Sequence, residues 1–274
     1  MIATSQLTGV WSAVLTPVDE NYEPDAPRAV EYYRDLLRDG IDGINLLGTT
    51  GEAMSFGRKQ RMRLMEAVAA AVPRAQTMCG TGASALGDTV ALTRVASELG
   101  FAAALIMPPF FFRDAGDGGI LRFFDALLAK TGTLRSTILL YNFPRMSGIT
   151  FHADLVDRLI GAFPGAIGGM KDSSNDAALQ REVLARHPEL RVFPSAEETL
   201  VDAKTRGIAG CISGSVALWP QLAHQAYANA DAAAGVLVRA ARMELANKPL
   251  IAQVREGVAK ARNDDNWLRS MPPN

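Results

Sequence analysis

Eight short apolar runs, each followed by a stretch with helical periodicity, constrain the fold of this chain more than any other feature. Runs that are apolar throughout indicate strands buried on both faces, which is typical of a parallel sheet covered by helices. The predicted strands are residues 9–15, 43–47, 76–80, 102–107, 137–141, 166–170, 191–193 and 210–212. Eight such units predict an α/β fold of the (β/α)8 TIM barrel type rather than an open doubly wound sheet.

Helix signals separate these strands and continue after the last one. Asp25 and Pro27 predict a helix start, since aspartate is a favoured N-cap and proline costs little in the first turn. The alanine- and arginine-rich residues 219–261 predict helices that pack on the barrel. We therefore expect a barrel over residues 1–218 and a short C-terminal helical extension over residues 219–274, together forming a single structural unit.

Composition and charge argue against several classes of function. Lys and Arg number 28 against 29 Asp and Glu, so no net field attracts nucleic acid or an anionic membrane. No run approaches the roughly 18 apolar residues of a membrane span. Residues 1–6 show no secretory leader, and we expect a cytoplasmic protein. Cys79 and Cys211 lie in apolar runs typical of buried thiols, and the three scattered histidines predict no metal site.

Lys171 follows the apolar run 166–170, an uncommon place for a charged side chain. Removal from water favours the neutral amine of a lysine, which is the form that attacks a ketone to make a Schiff base. A snorkelling lysine at a strand end is the alternative, and for a single lysine it is the commoner case. Because barrel enzymes place their chemistry at the carboxyl ends of the strands, residues at the other strand ends bear on this choice.

The ends of strands two and five carry further candidates. Gly48, Thr49 and Thr50 begin a turn whose hydroxyl and N–H groups suit a carboxylate, although an ordinary Gly-Thr turn is an equal alternative. Tyr141 offers a phenol able to pass protons, and a tyrosine packed in the core is the alternative interpretation. Asn142, which follows it, is expected to fix a loop rather than contact a substrate.

Three motifs taken together carry a family resemblance. The motifs GTTGE at 48–52, YNFP at 141–144 and GMKDS at 169–173 resemble, in order and spacing, the signatures of the dihydrodipicolinate synthase/N-acetylneuraminate lyase family. The resemblance covers nearly the whole chain. It implies a lyase or aldolase that forms an imine with pyruvate or another 2-oxo acid and needs no metal or organic cofactor. It also implies a homotetramer built as a dimer of dimers.

The same resemblance implies roles for individual residues. Lys171 corresponds to the lysine that forms the Schiff base, and Tyr141 to the residue that shuttles protons. Thr49 and Thr50 correspond to the residues that bind the pyruvate carboxylate. Ile212 corresponds to the position whose backbone carbonyl faces the bound keto acid.

Two departures from the family pattern concern the second substrate. Phe111 stands where the synthases carry a tyrosine that crosses the dimer interface to complete a proton relay. Met146 stands where they carry an arginine for the aldehyde carboxylate, with Arg145 beside it as a possible substitute. Both changes argue against condensation of pyruvate with aspartate semialdehyde. Phe110, Phe111, Phe112, Phe143 and Met146 would form an apolar wall suited to a less charged substrate, with plain packing as the alternative.

Polar residues after strands seven and eight suit a sugar acid instead. The loop after strand seven begins at Ser195 and contains Glu197 and Glu198. In sialic acid lyases an acidic pair at the matching place binds sugar hydroxyls, and an exposed acidic helix start is an equal alternative for Glu197 and Glu198. Ser213 and Ser215 either contact a polyol chain or cap the next element.

The leading prediction is a lyase that cleaves or forms a 2-oxo acid, such as a 2-keto-3-deoxy sugar acid, giving pyruvate and an aldehyde through a Lys171 imine. The alternatives are a dihydrodipicolinate synthase, a dehydratase or hydratase that uses the same imine, and a non-catalytic barrel that binds a keto acid.

Overall fold

The computed structural model describes residues 7–245 and 249–273 of the 274-residue chain. The prediction made for residues 1–6 lies outside the described residues. The strands are β1 Gly9–Ala13, β2 Gly43–Leu46, β3 Thr77–Gly80, β4 Ala103–Ile106, β5 Thr137–Asn142, β6 Ile167–Asp172, β7 Arg191–Pro194 and β8 Gly210–Ser213. The helices are α1 Ala26–Arg38, α2 Arg58–Ala71, α3 Leu86–Glu98, α4 Gly116–Thr131, α5 Pro144–Ser147, α6 Ala153–Ala162, α7 Ala177–Arg186, α8 Pro220–Ala228, α9 Ala232–Glu244 and α10 Leu250–Arg262.

The described strands form one parallel sheet that curves into a barrel. Hydrogen-bonded neighbours follow the order β7-β6-β5-β4-β3-β2-β1-β8, and each of these pairs is parallel. Between β7 and β8 the backbone N–H of Ala209 donates to the carbonyl of Val192 at 3.0 Å, which brings the two ends of the sheet together. The predicted TIM barrel with a C-terminal helical extension is confirmed.

Local sequence signals predict where elements begin and end, and the end of β6 differs from the prediction. Asp25 caps α1 by accepting a hydrogen bond from the N–H of Arg28 at 3.1 Å, as the sequence predicts. The run of apolar residues predicts the end of β6 at residue 170, but the strand continues through Lys171 and Asp172. Both residues still pair with β7, opposite Phe193 and Pro194. Lys171 therefore lies within a strand and not after one.

Side chains of the strands alternate between the barrel interior and the helical layer. The interior cluster includes Trp11, Ala13, Met78, Leu105, Leu139, Tyr141, Phe193 and Ile212. Gly169 lies two residues before Lys171, and a Cβ there would stand 2.2 Å from the carbonyl oxygen of Arg191. Since this oxygen belongs to the backbone of β7, only glycine fits at this position, and the close approach of β6 to β7 depends on it.

The C-terminal helices contact the barrel at its outer surface and near the carboxyl ends of its strands. Trp267, which follows α10, is buried and meets the ring of Tyr32 edge-on at 4.9 Å between centroids. The division of the chain at residue 218 stays a prediction. Cys79 and Cys211 are buried free thiols, as expected. Within residues 7–245 and 249–273, no helix is both long enough and apolar enough to cross a membrane.

Candidate active site

Tyr141 and Lys171 stand opposite each other on β5 and β6, with both side chains in the barrel interior. Lys171 Nζ lies 4.6 Å from the centroid of the Tyr141 ring. A snorkelling lysine would hold its ammonium group in water, whereas Lys171 is only 4% exposed. The pairing therefore places an amine beside a phenol in a largely dehydrated position.

The loop after β2 brings its threonines against the ends of two other strands. Thr49 Oγ1 lies 3.1 Å from Tyr141 Oη, and either hydroxyl is able to donate. Thr50 is buried against Gly214, where an added Cβ would stand 2.7 Å from Thr50 Oγ1. This close packing holds the loop between β5 and the segment that follows β8. The hydroxyl groups of Thr49 and Thr50 are therefore oriented by tertiary contacts, which a loop that binds a carboxylate would require.

The same loop contains backbone conformations that surrounding contacts must hold in place. Leu47 and Glu52 flank the turn, and both adopt a left-handed conformation with φ of 53°. Such conformations in residues other than glycine concentrate at functional sites. The buried carboxylate of Glu52 accepts hydrogen bonds from the guanidinium of Arg255 in α10 and from the N–H of Met271 at 3.1 Å. The C-terminal segment therefore secures the loop.

A buried polar network fixes the strand ends that carry Tyr141 and Lys171. Asn142 Nδ2 donates to Asp172 Oδ1 at 2.9 Å, and Gln180 Nε2 donates to Asp172 Oδ2 at 2.7 Å. The structure thus ties the two residues that follow the candidate pair to each other and to α7. Asn142 fixes a loop, as expected, since its Oδ1 accepts from the N–H of Phe151 at 3.0 Å.

A cavity of about 250 Å³ opens beside Tyr141, and we call it the Tyr141 cavity. Gly48, Thr49, Ser55 and Tyr141 line it, whereas Lys171, Thr50 and Ile212 are not among its lining residues. Most of the remaining wall consists of the apolar side chains of Met54, Leu105, Met107, Phe110, Met146 and Ile251. A mostly apolar wall with a few polar groups is a common composition for a small-molecule site.

Other predicted residues lie away from the Tyr141 cavity. Phe111 is 75% exposed and Arg145 is also exposed, and neither lines the cavity. Their neighbours Phe110 and Met146 do line it, because consecutive side chains in the turn after β4 and in α5 point in different directions. Phe143 stacks on the Tyr141 ring with 5.8 Å between centroids and lies outside the lining.

Glu197, Ser213 and Ser215 form a separate buried cluster, which the partly exposed Arg242 of α9 contacts. Ser213 Oγ donates to Glu197 Oε1 at 2.6 Å, Ser215 Oγ donates to the same atom, and Arg242 Nε lies 3.3 Å from Glu197 Oε2. Burial raises the pKa of Glu197, against the opposing effects of Arg242 and the two hydroxyls. Ile212, the residue before Ser213, points into the barrel, so Ser213 points outward and its hydroxyl is already engaged.

The remaining candidates after β7 are also outside the cavity lining. Ser195 donates to Asn175 Oδ1 through its N–H at 3.0 Å and through its hydroxyl at 3.2 Å. Glu198 is partly buried beside Glu197. The structure therefore does not bring Ser195, Glu198 or Ser213 to the wall of the Tyr141 cavity.

Sequence reasoning missed the part that α10 plays. Ile251 of α10 lines the Tyr141 cavity, and Arg255 holds Glu52 and also donates to the carbonyl of Thr16 at 3.1 Å. The available signal was a charged residue on the apolar face of a helix, since Arg255 lies beside the buried Val254 and Val258. That pattern predicts a buried polar partner but does not identify it.

Comparison with known proteins agrees with this architecture. The sequence pattern of the dihydrodipicolinate synthetase family matches residues 6–261. An "uncharacterized DapA-like lyase" from Chloroflexus aurantiacus is 33% identical over 220 residues, which are 80% of this chain and 73% of the relative.

Solved structures share the fold over nearly the whole chain. The dihydrodipicolinate synthase of Agrobacterium tumefaciens superposes with a TM-score of 0.88 at 27% identity, over 97% of this chain and 93% of that one. The 2-keto-3-deoxygluconate aldolase of Picrophilus torridus has a TM-score of 0.85 at 21% identity and covers 97% of each chain, which shows the common fold alone. The chain belongs to the dihydrodipicolinate synthetase family of lyases and aldolases.

Proposed function

We propose that this protein cleaves or forms a 2-oxo acid through an imine between Lys171 and pyruvate, with an aldehyde as the second substrate or product. The observation that carries the proposal is the buried amine of Lys171, 4.6 Å from the centroid of the Tyr141 ring. Tyr141 Oη in turn lies 3.1 Å from Thr49 Oγ1, and this proximity supports the proposed roles of Lys171 as nucleophile, Tyr141 as proton carrier and Thr49 as carboxylate-binding residue.

In the proposed mechanism, Lys171 Nζ attacks C2 of pyruvate and water leaves to give an iminium ion. The iminium withdraws electrons from C3, so loss of a C3 proton gives an enamine that attacks the aldehyde carbon. Cleavage is the reverse, in which the C3–C4 bond breaks and its electron pair returns to the iminium. This chemistry requires no metal or organic cofactor, because the imine itself accepts the electrons.

The surrounding residues orient the reactants. The hydroxyl and N–H groups of Thr49 and Thr50 bind the pyruvate carboxylate, and the backbone carbonyl of Ile212 faces the keto acid. Tyr141, held by Thr49, gives a proton to the aldehyde oxygen during addition and removes it during cleavage. Since Glu52 and Arg255 secure the loop, they are positioning residues.

Two alternatives use the same imine and differ in the substrate. Condensation of pyruvate with aspartate semialdehyde is favoured by the likeness to the Agrobacterium tumefaciens synthase, and its test is turnover of that aldehyde. A 2-keto-3-deoxy sugar acid is the substrate that the sequence predicts, and its test is release of pyruvate from such acids. A dehydratase would release water from its substrate without forming pyruvate.

The deciding experiment is borohydride trapping of pyruvate followed by mass spectrometry of the intact protein and its peptides. We expect one reduced pyruvyl group, located on the peptide that contains Lys171. Lys171→Ala should remove the adduct, whereas Lys59→Ala, at an exposed lysine, should retain it. A folded wild-type protein that gives no adduct, or an adduct on another lysine, would overturn the proposal. Trapping without turnover of any 2-oxo acid would indicate a keto-acid-binding barrel.

A further inference from the structure

The apolar part of the Tyr141 cavity is assembled from separate segments of the chain. Met54 comes from the turn after β2, Met107 and Phe110 follow β4, Met146 lies in α5 and Ile251 lies in α10. Three of these five side chains are methionines, whose flexible thioethers adapt to differently shaped apolar groups. Thr49 and Tyr141, which are proposed to meet the substrate, line the same cavity, so a substituent of the substrate that enters the cavity would contact these side chains.

The charges around the Tyr141 cavity do not favour an anionic substituent. Among the described residues that line the cavity, Glu52 is the one with a charged side chain, and its carboxylate is engaged by Arg255 and Met271. Arg145 is exposed and outside the lining. A second carboxylate placed here would therefore find no cation among the described lining residues.

The hydroxyl groups of a polyol would find few partners at this wall. Ser213 and Ser215 donate to Glu197 on the outer side of β8, and Ser195 donates to Asn175. Apart from Thr49 and Tyr141, Ser55 is the one described lining residue with a side-chain hydroxyl, so most hydroxyl groups of a sugar chain would find no side-chain hydroxyl partner on this wall.

The volume of the cavity sets the size of the group that fits. An apolar cavity of about 150 Å³ is enough to bind benzene. The Tyr141 cavity, at about 250 Å³, therefore accommodates a branched aliphatic group or a single aromatic ring.

We infer that the aldehyde partner is apolar and that its substituent occupies the Tyr141 cavity. This inference rests on the proposed imine chemistry and specifies its substrate class. The enamine carbon attacks the aldehyde carbon, a C–C bond forms, and the carbonyl electron pair moves to oxygen, which takes a proton from Tyr141. The proton that C3 lost when the enamine formed then restores the phenol. Water then hydrolyses the iminium and releases a 4-hydroxy-2-oxo acid with an apolar C4 substituent. The water released during imine formation balances the water consumed, and no oxidant or reductant is needed.

The experiment compares aldehydes as partners of pyruvate with the full-length protein. We would measure kcat/KM for 3-methylbutanal, benzaldehyde, glyceraldehyde and aspartate semialdehyde by mass-spectrometric detection of the products. The apolar aldehydes should be favoured by about tenfold or more.

A matched pair of arginine variants locates the substituent. Met146→Arg should lower the preference for apolar over carboxylate-bearing aldehydes by about tenfold, because an apolar group in contact with the guanidinium would cost the cation part of its hydration, whereas a carboxylate would pair with it. Met243→Arg makes the same replacement in α9 at a residue that is 70% exposed and outside the cavity, and it should leave the preference unchanged.

Borohydride trapping of pyruvate separates failure of this inference from failure of the proposed function. Intact trapping combined with a preference for polar aldehydes, or with no reaction of any aldehyde, would overturn the inference alone. A preference for apolar aldehydes that Met146→Arg leaves unchanged in a folded, trappable protein would also overturn it, because the substituent would then lie elsewhere. Absence of trapping in the wild-type protein would remove both.

Discussion

Glu52 accepts a buried hydrogen bond from Arg255, although 203 positions separate the two residues along the chain. Glu52 ends the turn that carries Thr49 and Thr50, whereas Arg255 lies in the last helix. Arg255 also donates to the carbonyl of Thr16, just after β1. The C-terminal helix is therefore joined to the end of the barrel where the candidate residues meet.

Removal of Arg255 should destabilise the protein strongly. Arg255→Met leaves the Glu52 carboxylate buried without its opposite charge, and we expect the free energy of unfolding to fall by about 3–5 kcal/mol. Urea denaturation measures this change. Arg38→Met, which breaks an exposed pair with Asp35, serves as the control and should cost less than about 1 kcal/mol.

The double variant Glu52→Gln/Arg255→Met tests whether the two residues act as a pair. Since it leaves neither charge unpaired, its loss of stability should be smaller than the sum of the two single losses. Strict additivity would show that Arg255 acts through its other contacts, among them the carbonyl of Thr16.

Loss of the Tyr141 hydroxyl should separate imine formation from the aldehyde step. Tyr141→Phe keeps the ring beside Lys171 but removes the group that meets Thr49. Turnover with aldehyde should fall by about 10²–10⁴-fold, while prolonged incubation with pyruvate and borohydride still gives the adduct. Tyr22→Phe, at an exposed tyrosine, should match the wild type. Unchanged turnover in Tyr141→Phe would exclude the phenol as the proton carrier.

The two cysteines should be unreactive in the folded protein. Burial raises the pKa of Cys79 to about 12 and raises the pKa of Cys211 well above its ordinary value. At pH 8 a thiol with that pKa has a thiolate fraction on the order of 10⁻⁴, and the thiolate is the reactive species. Titration with Ellman's reagent should therefore be slow in buffer and should reach both thiols in denaturant. Fast reaction of one thiol in buffer would contradict its burial.

Glu197 should make the stability of the protein depend on pH. Burial raises the pKa of Glu197, so the folded state binds this proton more tightly than the unfolded chain does. This contribution is fully present below the unfolded value of 4.5 and is lost as the pH rises through the raised folded value. Glu197→Gln has no such proton to lose.

The wild type should therefore lose stability relative to Glu197→Gln as the pH rises above 4.5. Urea denaturation over a pH series measures the difference, and Glu20→Gln, at an exposed residue, should follow the wild type. A difference between wild type and Glu197→Gln that does not change with pH would exclude a raised pKa at this position.

Local patterns predicted most of the secondary structure and the main residues of the site. Strands buried on both faces appear in the sequence as apolar runs, so each predicted strand overlaps an observed one. The motifs around Thr49, Tyr141 and Lys171 lie at strand ends, and the barrel brings these ends together. The N-cap of α1 was equally readable, because Asp25 acts on residues within one turn.

The sequence by itself predicted the barrel and named Thr49, Tyr141 and Lys171 as candidates, which the structure brings together. Both were readable because strand burial and strand-end motifs are local features. Only the tertiary structure decided which side chains form the wall of the Tyr141 cavity. It selected Phe110 over Phe111 and Met146 over Arg145, and it brought Ile251 to the wall from the last helix. The physical reason is that the closed barrel decides which way a side chain in a turn or a short helix points. It also decides which distant helix contacts the wall, and no short sequence pattern encodes either.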